Sequence, residues 1–166
     1  MGKWELRARP ICCGVDYVQT LGAEIPDAGR PAMALTVKYE NRKDYLYAFV
    51  EGEYDFESTV QSYIGILGAG AERHVNKVLI DAMTVTGGPT DFERYDIVSA
   101  VIRKYYELIH SPDYVICRFA MVGKAPLLDA KHFCETVATN RGLIIKDVET
   151  MAEAFEWLGL KPETAS

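Results

Sequence analysis

The chain has 166 residues, of which 49% are hydrophobic and 25% are charged, and it carries a net charge of −6 with a pI near 5.1. This length suits one domain with a sizeable core, and this composition excludes a disordered chain. An acidic surface without a basic patch repels phosphate backbones, so we expect no nucleic-acid partner. No apolar run approaches the ~20 residues of a membrane span, and the start lacks an apolar signal core. We therefore expect a cytoplasmic protein with reduced cysteines.

The two ends of the chain differ from its middle. Proline and glycine repeatedly interrupt the first 33 residues, which show only a weak strand-like alternation. We interpret residues 1–33 as an irregular arm and residues 161–166 as a loose C-terminal tail. Residues 34–160 carry clearer periodic signals and predict a single domain.

That domain is predicted to begin with a hairpin. Residues 34–39 and 45–50 are typical of strands, and the short polar segment between them favours an antiparallel turn. Asp55 is placed to cap the following helix, because its carboxylate can accept hydrogen bonds from free backbone N–H groups. Residues 77–81 then form a nearly continuous apolar run, which is typical of a strand buried on both faces.

Strands and helices alternate through the rest of the domain. Thr90 and Glu93 fit a capping box at the start of a helix. Its predicted inward residues are Val98, Val101, Ile102, Tyr105 and Ile109. Residues 114–122 predict the next strand and residues 128–141 a helix, with Gly142 placed to terminate it. The inward residues predicted for this helix are Ala130, Phe133, Cys134 and Val137.

The last two elements complete the alternation. Residues 143–148 predict a strand, and Thr150 with Glu153 forms a second capping box before a helix. A hairpin that leads into alternating helices and strands predicts an α/β domain. Its sheet is expected to be mixed and mostly parallel, with about four helices packed against it.

This order of elements, with four short motifs, resembles the STAS fold of bacterial anti-sigma factor antagonists, and more closely its SpoIIAA-like branch. The motifs are VLID at 78–81, FAMVG at 119–123, NRG at 140–142 and MAEAFEWL at 151–158. The resemblance covers residues 34–160 and implies a STAS/SpoIIAA-like fold. It also implies a regulatory module that acts through contacts with a protein partner or with itself.

The chain departs from that family at one functional loop. In anti-sigma factor antagonists, the loop after the central strand carries Asp-Ser-Ser-Gly, and phosphorylation of one serine switches partner binding. Here residues 81–90 read DAMTVTGGPT, so the motif is absent and Thr90 is the nearest substitute by position. Because a capping box explains both Thr90 and Glu93, we interpret Thr90 as an N-cap and keep phosphorylation as a minor alternative.

A ligand site would lie beyond the carboxyl ends of the parallel strands, where open α/β sheets bind ligands. The loop after the central strand contains the candidate side chains Asp81, Thr84, Thr86 and Thr90. Lys124 lies in the next loop, and residues 147–149 reach the same edge. Helix N-termini there favour anions, with Lys124 as a counter-charge. The alternative is that Asp81 caps local backbone and Lys124 is solvated.

Other chemistries find little support in the sequence. The histidines and cysteines are not spaced as metal ligands, and no motif indicates a cofactor, so we expect neither. No serine lies in a G-x-S-x-G elbow, and Cys117 and Cys134 are expected to be buried and unreactive. The ten tyrosines indicate either ordinary packing or a protein interface, where tyrosine is enriched.

Three functions remain open at this stage. The leading hypothesis is a non-catalytic module, expected to be a homodimer, that acts through protein contacts. The second is a carrier domain with a site for a small anionic or apolar ligand, including a lipid. The third is an enzyme with a site between Asp81 and Thr90, although no catalytic motif supports it.

Overall fold

The computed structural model describes residues 35–161. The elements are, in chain order, β1 (Thr36–Asn41), β2 (Leu46–Glu51), α1 (Phe56–Glu72), β3 (Lys77–Asp81), α2 (Asp91–Ile109), β4 (Arg118–Val122), α3 (Phe133–Asn140), β5 (Ile144–Val148) and α4 (Met151–Leu158). The predicted arm at 1–33 lies outside the described residues, as does the predicted tail beyond residue 161. Among the helices at 35–161, none combines the length and apolar character needed to cross a membrane.

The five strands form one sheet in the order β1-β2-β3-β4-β5. Strands β1 and β2 are antiparallel because a short turn joins them, and the other neighbours are parallel because helices join them. The predicted hairpin and the mixed, mostly parallel sheet are therefore confirmed. The register pairs Asp81 with Val122 and Met121 with Asp147.

The two faces of the sheet bury different sets of side chains. Successive side chains on a strand point to opposite faces, so alternate residues of one strand belong to different layers. The first layer packs with α1, α2 and α3 and includes Val78, Ile80 and Phe119. The second packs with α4 and includes Leu79, Ala120, Val122, Ala154 and Leu158. The sheet is thus covered on both faces, as its apolar parallel strands require.

Side-chain caps determine where three of the helices begin. The Asp55 carboxylate accepts a hydrogen bond from the Ser58 N–H at 2.9 Å. Thr90 and Thr150 each form a complete capping box at the start of α2 and α4. Gly142 follows the end of α3 with φ +91, a conformation that favours glycine. These predicted start and stop signals are confirmed.

Two predicted elements are too long. The predicted helix at 128–141 is wrong at its start, because α3 begins at Phe133. The Asp129 carboxylate accepts hydrogen bonds from the N–H groups of Lys131 and Phe133, at 2.9 and 3.0 Å, and so forms local turns instead of a helix. His132 adopts a left-handed φ of 51. The predicted strand at 114–122 begins only at Arg118.

Three residues that were predicted to point inward are exposed. Phe133 lies at the first turn of α3 and Ile109 at the last residue of α2. Both lie at helix ends, where sequence periodicity does not indicate how far the neighbouring elements extend. The third, Ala130, lies before the start of α3, so the predicted helical face does not include it. Val98, Ile102 and Tyr105 in the middle of α2 are buried, as predicted.

Candidate functional site

The loops that follow β3 and β4 pack against each other at the carboxyl edge of the sheet. A Cβ added at Gly88 would lie 2.4 Å from the Pro126 carbonyl oxygen, so only glycine allows this contact. The Gly123 N–H donates a hydrogen bond to the Val148 carbonyl at 3.1 Å, which places the ends of β4 and β5 side by side. The edge predicted from the strand order therefore brings these loops together.

Both carboxylate oxygens of Asp81 have hydrogen-bond donors. One accepts from the Tyr47 hydroxyl at 2.6 Å and the other from the Met83 N–H at 3.1 Å. Burial, followed by the hydrogen bond to Asp81, raises the pKa of Tyr47, so its hydroxyl remains a donor at neutral pH. The bond to Met83 matches the alternative in which Asp81 caps local backbone.

Thr84 and Thr86 also contribute to the structure of the edge. The Thr84 hydroxyl donates to the Val50 carbonyl at 3.3 Å. The Thr86 N–H donates to the Gly52 carbonyl at 3.1 Å, and this bond ties the loop after β3 to the loop after β2. Lys124 is exposed, and no other residue within 35–161 pairs with it. These contacts fit a structural role for the threonines and a solvated Lys124.

Thr90 is occupied by its capping interactions. Its hydroxyl donates to the Glu93 carboxylate at 2.7 Å and accepts from the Glu93 N–H at 3.4 Å. The hydrogen bonds that Glu93 accepts from Thr90, first from its N–H, lower the pKa of the Glu93 carboxyl. A phosphate on Thr90 would therefore lie beside an ionised carboxylate, which disfavours it. Phosphorylation of Thr90 stays a prediction.

Arg94 is a buried residue that joins α2 to the loop after β4. Its guanidinium donates to the Pro126 carbonyl at 2.6 Å and to the Leu127 carbonyl at 3.0 Å. The Ala125–Pro126 bond in this loop is cis. The sequence did not single out Arg94, because a single arginine on an amphipathic helix is usually solvated.

Three exposed aromatic side chains, Phe92, Tyr95 and Tyr106, form what we call the α2 stripe. They are 88%, 53% and 42% exposed and lie on one flank of α2, beside its buried face. Phe92 and Tyr106 are two heptads apart, with Ser99 midway. The capping box explained Thr90 and Glu93 on either side of Phe92, and the stripe was not predicted from the sequence. The heptad spacing is the signal that could have found it.

The described cysteines and metal-ligating side chains form no reactive or metal-binding site. Burial raises the pKa of Cys117 to about 12 and that of Cys134 to about 11, so both thiols stay protonated at neutral pH. Cys117 is buried as predicted, whereas Cys134 is only partly buried. Among the side chains between 35 and 161, no three histidine, cysteine, aspartate or glutamate residues come together as metal ligands.

Comparison with known proteins supports the architecture. No protein-family model matches the sequence, and no curated protein matches it significantly. An uncharacterized protein with a SpoIIAA-like fold from Shewanella loihica is 17% identical with a TM-score of 0.44, over 80% of this chain and 99% of that one. An anti-sigma factor antagonist from Mycobacterium paratuberculosis is 15% identical with a TM-score of 0.52, over the same shares of the two chains. The chain therefore has the SpoIIAA/STAS-like fold that its motifs predicted.

Proposed function

We propose that this protein is a non-catalytic regulatory module that acts through protein contacts, and that it pairs with a second copy of itself through the α2 stripe. The observation that carries the proposal is the exposure of three aromatic side chains on one helix flank, where Phe92 is 88% exposed. Aromatic residues are enriched in protein interfaces, and an exposed row of them is unusual on a free surface. The similar structure from M. paratuberculosis is an anti-sigma factor antagonist, which supports a protein-directed role for the fold.

The order of residues along the stripe suits pairing with the same helix of a second copy. Residues seven apart meet the same surface of a neighbouring helix, as 92, 99 and 106 would here. In an antiparallel pair centred on Ser99, Phe92 of one copy lies opposite Tyr106 of the other. The small Ser99 side chain at the crossing point lets the two helices approach closely. The contact is self-complementary, as a twofold interface requires.

The charges beside the stripe support the same pairing. Asp96 lies towards its N-terminal end and Arg103 towards its C-terminal end, and both are exposed. Neither forms an ion pair with another of the described residues. In the antiparallel pair, Arg103 of one copy lies opposite Tyr95 and beside Asp96 of the other. A guanidinium is attracted both to an aromatic face and to a carboxylate.

The sheet edge favours a binding module over an enzyme. Catalytic groups need free lone pairs or protons aimed at a substrate, but Asp81 and Thr90 both use theirs within the fold. We also propose that the protein works in the cytoplasm, where free thiols such as those of Cys117 and Cys134 stay reduced. Pull-down experiments with the wild-type chain would identify the protein that this module regulates.

Charge reversal across the twofold tests the pairing. Asp96→Lys and Arg103→Glu each create two repulsive contacts in a homodimer, so each variant alone should be monomeric. A mixture of the two variants restores two attractive contacts and should form a heterodimer. Light scattering coupled to size exclusion measures the mass of the wild type, of each variant and of the mixture. Glu57→Lys, an exposed charge change on α1, is the control and should leave the mass unchanged.

The proposed interface fails on either of two results. A wild type that is monomeric at all concentrations tested would exclude self-pairing and leave a different protein as the occupant. A stable dimer that both single variants retain would place the interface elsewhere. Circular dichroism of each variant verifies that the charge change has not unfolded the chain.

A further inference from the structure

A cavity of about 80 Å³ lies between the sheet and helices α1, α2 and α3. Most of its wall is apolar, with Ile66, Val98 and Phe119 among its lining residues. Side chains alternate along a strand, so Ile145 and Asp147 of β5 point to this same face. A carboxylate therefore lines an otherwise largely apolar cavity.

Within residues 35–161, four charged side chains line the cavity, and three of them have partners. The Arg94 guanidinium donates to two loop carbonyls. The Asp129 carboxylate accepts from two backbone N–H groups. The Glu135 carboxylate accepts from the Lys146 ammonium at 2.8 Å and from the backbone N–H of Asp147 at 3.0 Å. These three groups are held by the fold itself.

The fourth charged group, Asp147, has no such partner. Its side chain is 5% exposed, and no donor within the described part of the chain bonds to its carboxylate. Burial, followed by the negative charge of Glu135, raises the pKa of Asp147 to about 6, against the opposing positive charges of His132, Lys146 and Arg94. The carboxyl is thus mostly ionised at neutral pH, although a buried charge without a hydrogen bond is costly. A ligand that donates a hydrogen bond to this carboxylate would offset that cost.

The size of the cavity limits what can bind. A cavity of about 150 Å³ holds a benzene molecule, so 80 Å³ suits an apolar body of about three or four heavy atoms. Among the described residues that line the cavity, there are three carboxylates and one guanidinium, that of Arg94, so the wall favours a cation over an anion. The partner of Asp147 must also donate a hydrogen bond, because the carboxylate only accepts.

We propose that this cavity binds a small alkylammonium group, either a free amine or the amine end of a larger molecule, whose N–H groups donate to Asp147. The apolar wall formed by Ile66, Val98 and Phe119 would cover the alkyl part. The site is separate from the α2 stripe, since it lies beneath the buried face of α2. Its test is therefore independent of the test of self-association.

An open groove adjoins the cavity on its outer side. Asp129 and Asp147 line the cavity and also line an open groove beside β5 and α4. The part of the chain that the structure describes places five carboxylates in this groove, from Asp129, Asp147, Glu149, Glu153 and Glu156. Its permanent cations are those of Arg118 and Lys146. The excess of negative charge draws a cation towards the wall that Asp147 shares with the cavity.

Propylammonium and 1-propanol test the proposal as a charged and a neutral ligand of nearly equal shape. Methyl resonances of Ile66, Val98 and Leu143 report binding in a nuclear magnetic resonance titration of the full chain. At pH 7.5 we expect saturable shifts with propylammonium, with a Kd in the millimolar range that suits so few atoms. We expect Asp147→Asn to weaken propylammonium at least about tenfold and to leave 1-propanol unchanged. Retained propanol binding also shows that the variant's cavity is intact.

Glu149→Gln is the matched control. It removes one carboxylate from the groove, two residues from Asp147, but Glu149 does not line the cavity. Propylammonium should therefore bind this variant within about twofold of the wild type. Lowering the pH below 6 should weaken propylammonium binding to the wild type as Asp147 becomes protonated.

Three results would overturn the proposal. The first is the absence of saturable shifts, which would mean that the cavity holds only water. The second is equal affinity of the wild type and Asp147→Asn for propylammonium. The third is binding of 1-propanol to the wild type as tightly as propylammonium, which would make the cavity an apolar site without a role for the carboxylate.

Discussion

Two aspartates near the carboxyl ends of parallel strands have opposite surroundings. Asp81 ends β3, and its two oxygens accept hydrogen bonds from the Tyr47 hydroxyl and the Met83 N–H. Asp147 is the second-last residue of β5, and its carboxylate has no donor among residues 35–161. The two side chains also point to opposite faces of the sheet, Asp81 towards the α4 side and Asp147 towards the cavity. The two carboxylates therefore lie on different faces of the sheet.

The difference shows how structural and ligand-binding carboxylates can be distinguished. A hydrogen-bonded carboxylate such as Asp81 stabilises the fold, because its desolvation is offset by charge-assisted bonds. A buried carboxylate without donors, such as Asp147, lowers stability in its ionised form. Residues that cost stability concentrate at functional sites. By this criterion, Asp147 is the stronger ligand-binding candidate.

Arg94 gives the largest expected effect, because its buried guanidinium lines the cavity and binds the loop after β4. Arg94→Met removes two charge-assisted hydrogen bonds from buried carbonyls and should lower the free energy of unfolding by about 3 kcal/mol or more. Urea denaturation at pH 7 measures this loss. Lys104→Met, which breaks an exposed ion pair on the same helix, is the control and should cost less than about 1 kcal/mol. Equal losses in the two variants would show that Arg94 does not hold the loop.

Asp147→Asn should stabilise the fold relative to the wild type, and this gain in the free energy of unfolding should grow as the pH rises. The pKa of Asp147 is about 6 in the folded chain, against an ordinary 3.8. Between these values the folded state holds a proton that the unfolded state has lost, so wild-type stability falls as pH rises through this window. The penalty is complete above pH 6 and amounts to about 3 kcal/mol at most.

Denaturation at pH 4 and pH 7 measures this effect as a difference of differences. The stability of Asp147→Asn minus that of the wild type should be more positive at pH 7, by about 1–3 kcal/mol. Charges common to both chains cancel in this comparison. A difference that is the same at both pH values would mean that Asp147 does not titrate abnormally and would weaken its contrast with Asp81.

The same substitution at Asp81 should have the opposite sign. Asp81→Asn turns an acceptor into a donor beside the Tyr47 hydroxyl or the Met83 N–H, and should destabilise the fold by about 1–2 kcal/mol at pH 7. Thermal or urea unfolding measures this loss of stability. In a Tyr47→Phe background the loss should shrink, because one of the two partners is already gone. A stabilising Asp81→Asn would contradict the structural role and reopen Asp81 as a ligand-binding group.

Thr90→Ala should give the smallest effect, a loss of about 1 kcal/mol from the N-cap of α2. Thr150→Ala, in the equivalent capping box of α4, is the matched control and should lose a similar amount. The intact mass of the purified chain tests whether Thr90 is phosphorylated. A covalent addition of about 80 Da that disappears in Thr90→Ala would indicate phosphorylation at this residue.

Local chemistry made several features predictable from the sequence. The two capping boxes depend on residues three apart, so Thr90 and Thr150 identified helix starts without tertiary information. The apolar run at β3 identified a buried central strand in the same way. The start of α3 was not predictable by periodicity, because the Asp129 turns compete with a helix through side-chain bonds that the apolar pattern does not reveal.

The order of elements, the hairpin and the mixed sheet are predictable from the sequence, because they follow from local periodicity and capping, whereas four short motifs carry the resemblance to the STAS fold. Which carboxylate has hydrogen-bond donors depends on how distant parts of the chain pack together. Tyr47 is far from Asp81 in sequence and reaches it because β2 lies beside β3. Asp147 lies on the face of β5 that lines the cavity, where none of the described elements brings a donor to its carboxylate. Its surroundings come from distant parts of the chain, so the sequence near Asp147 does not predict them.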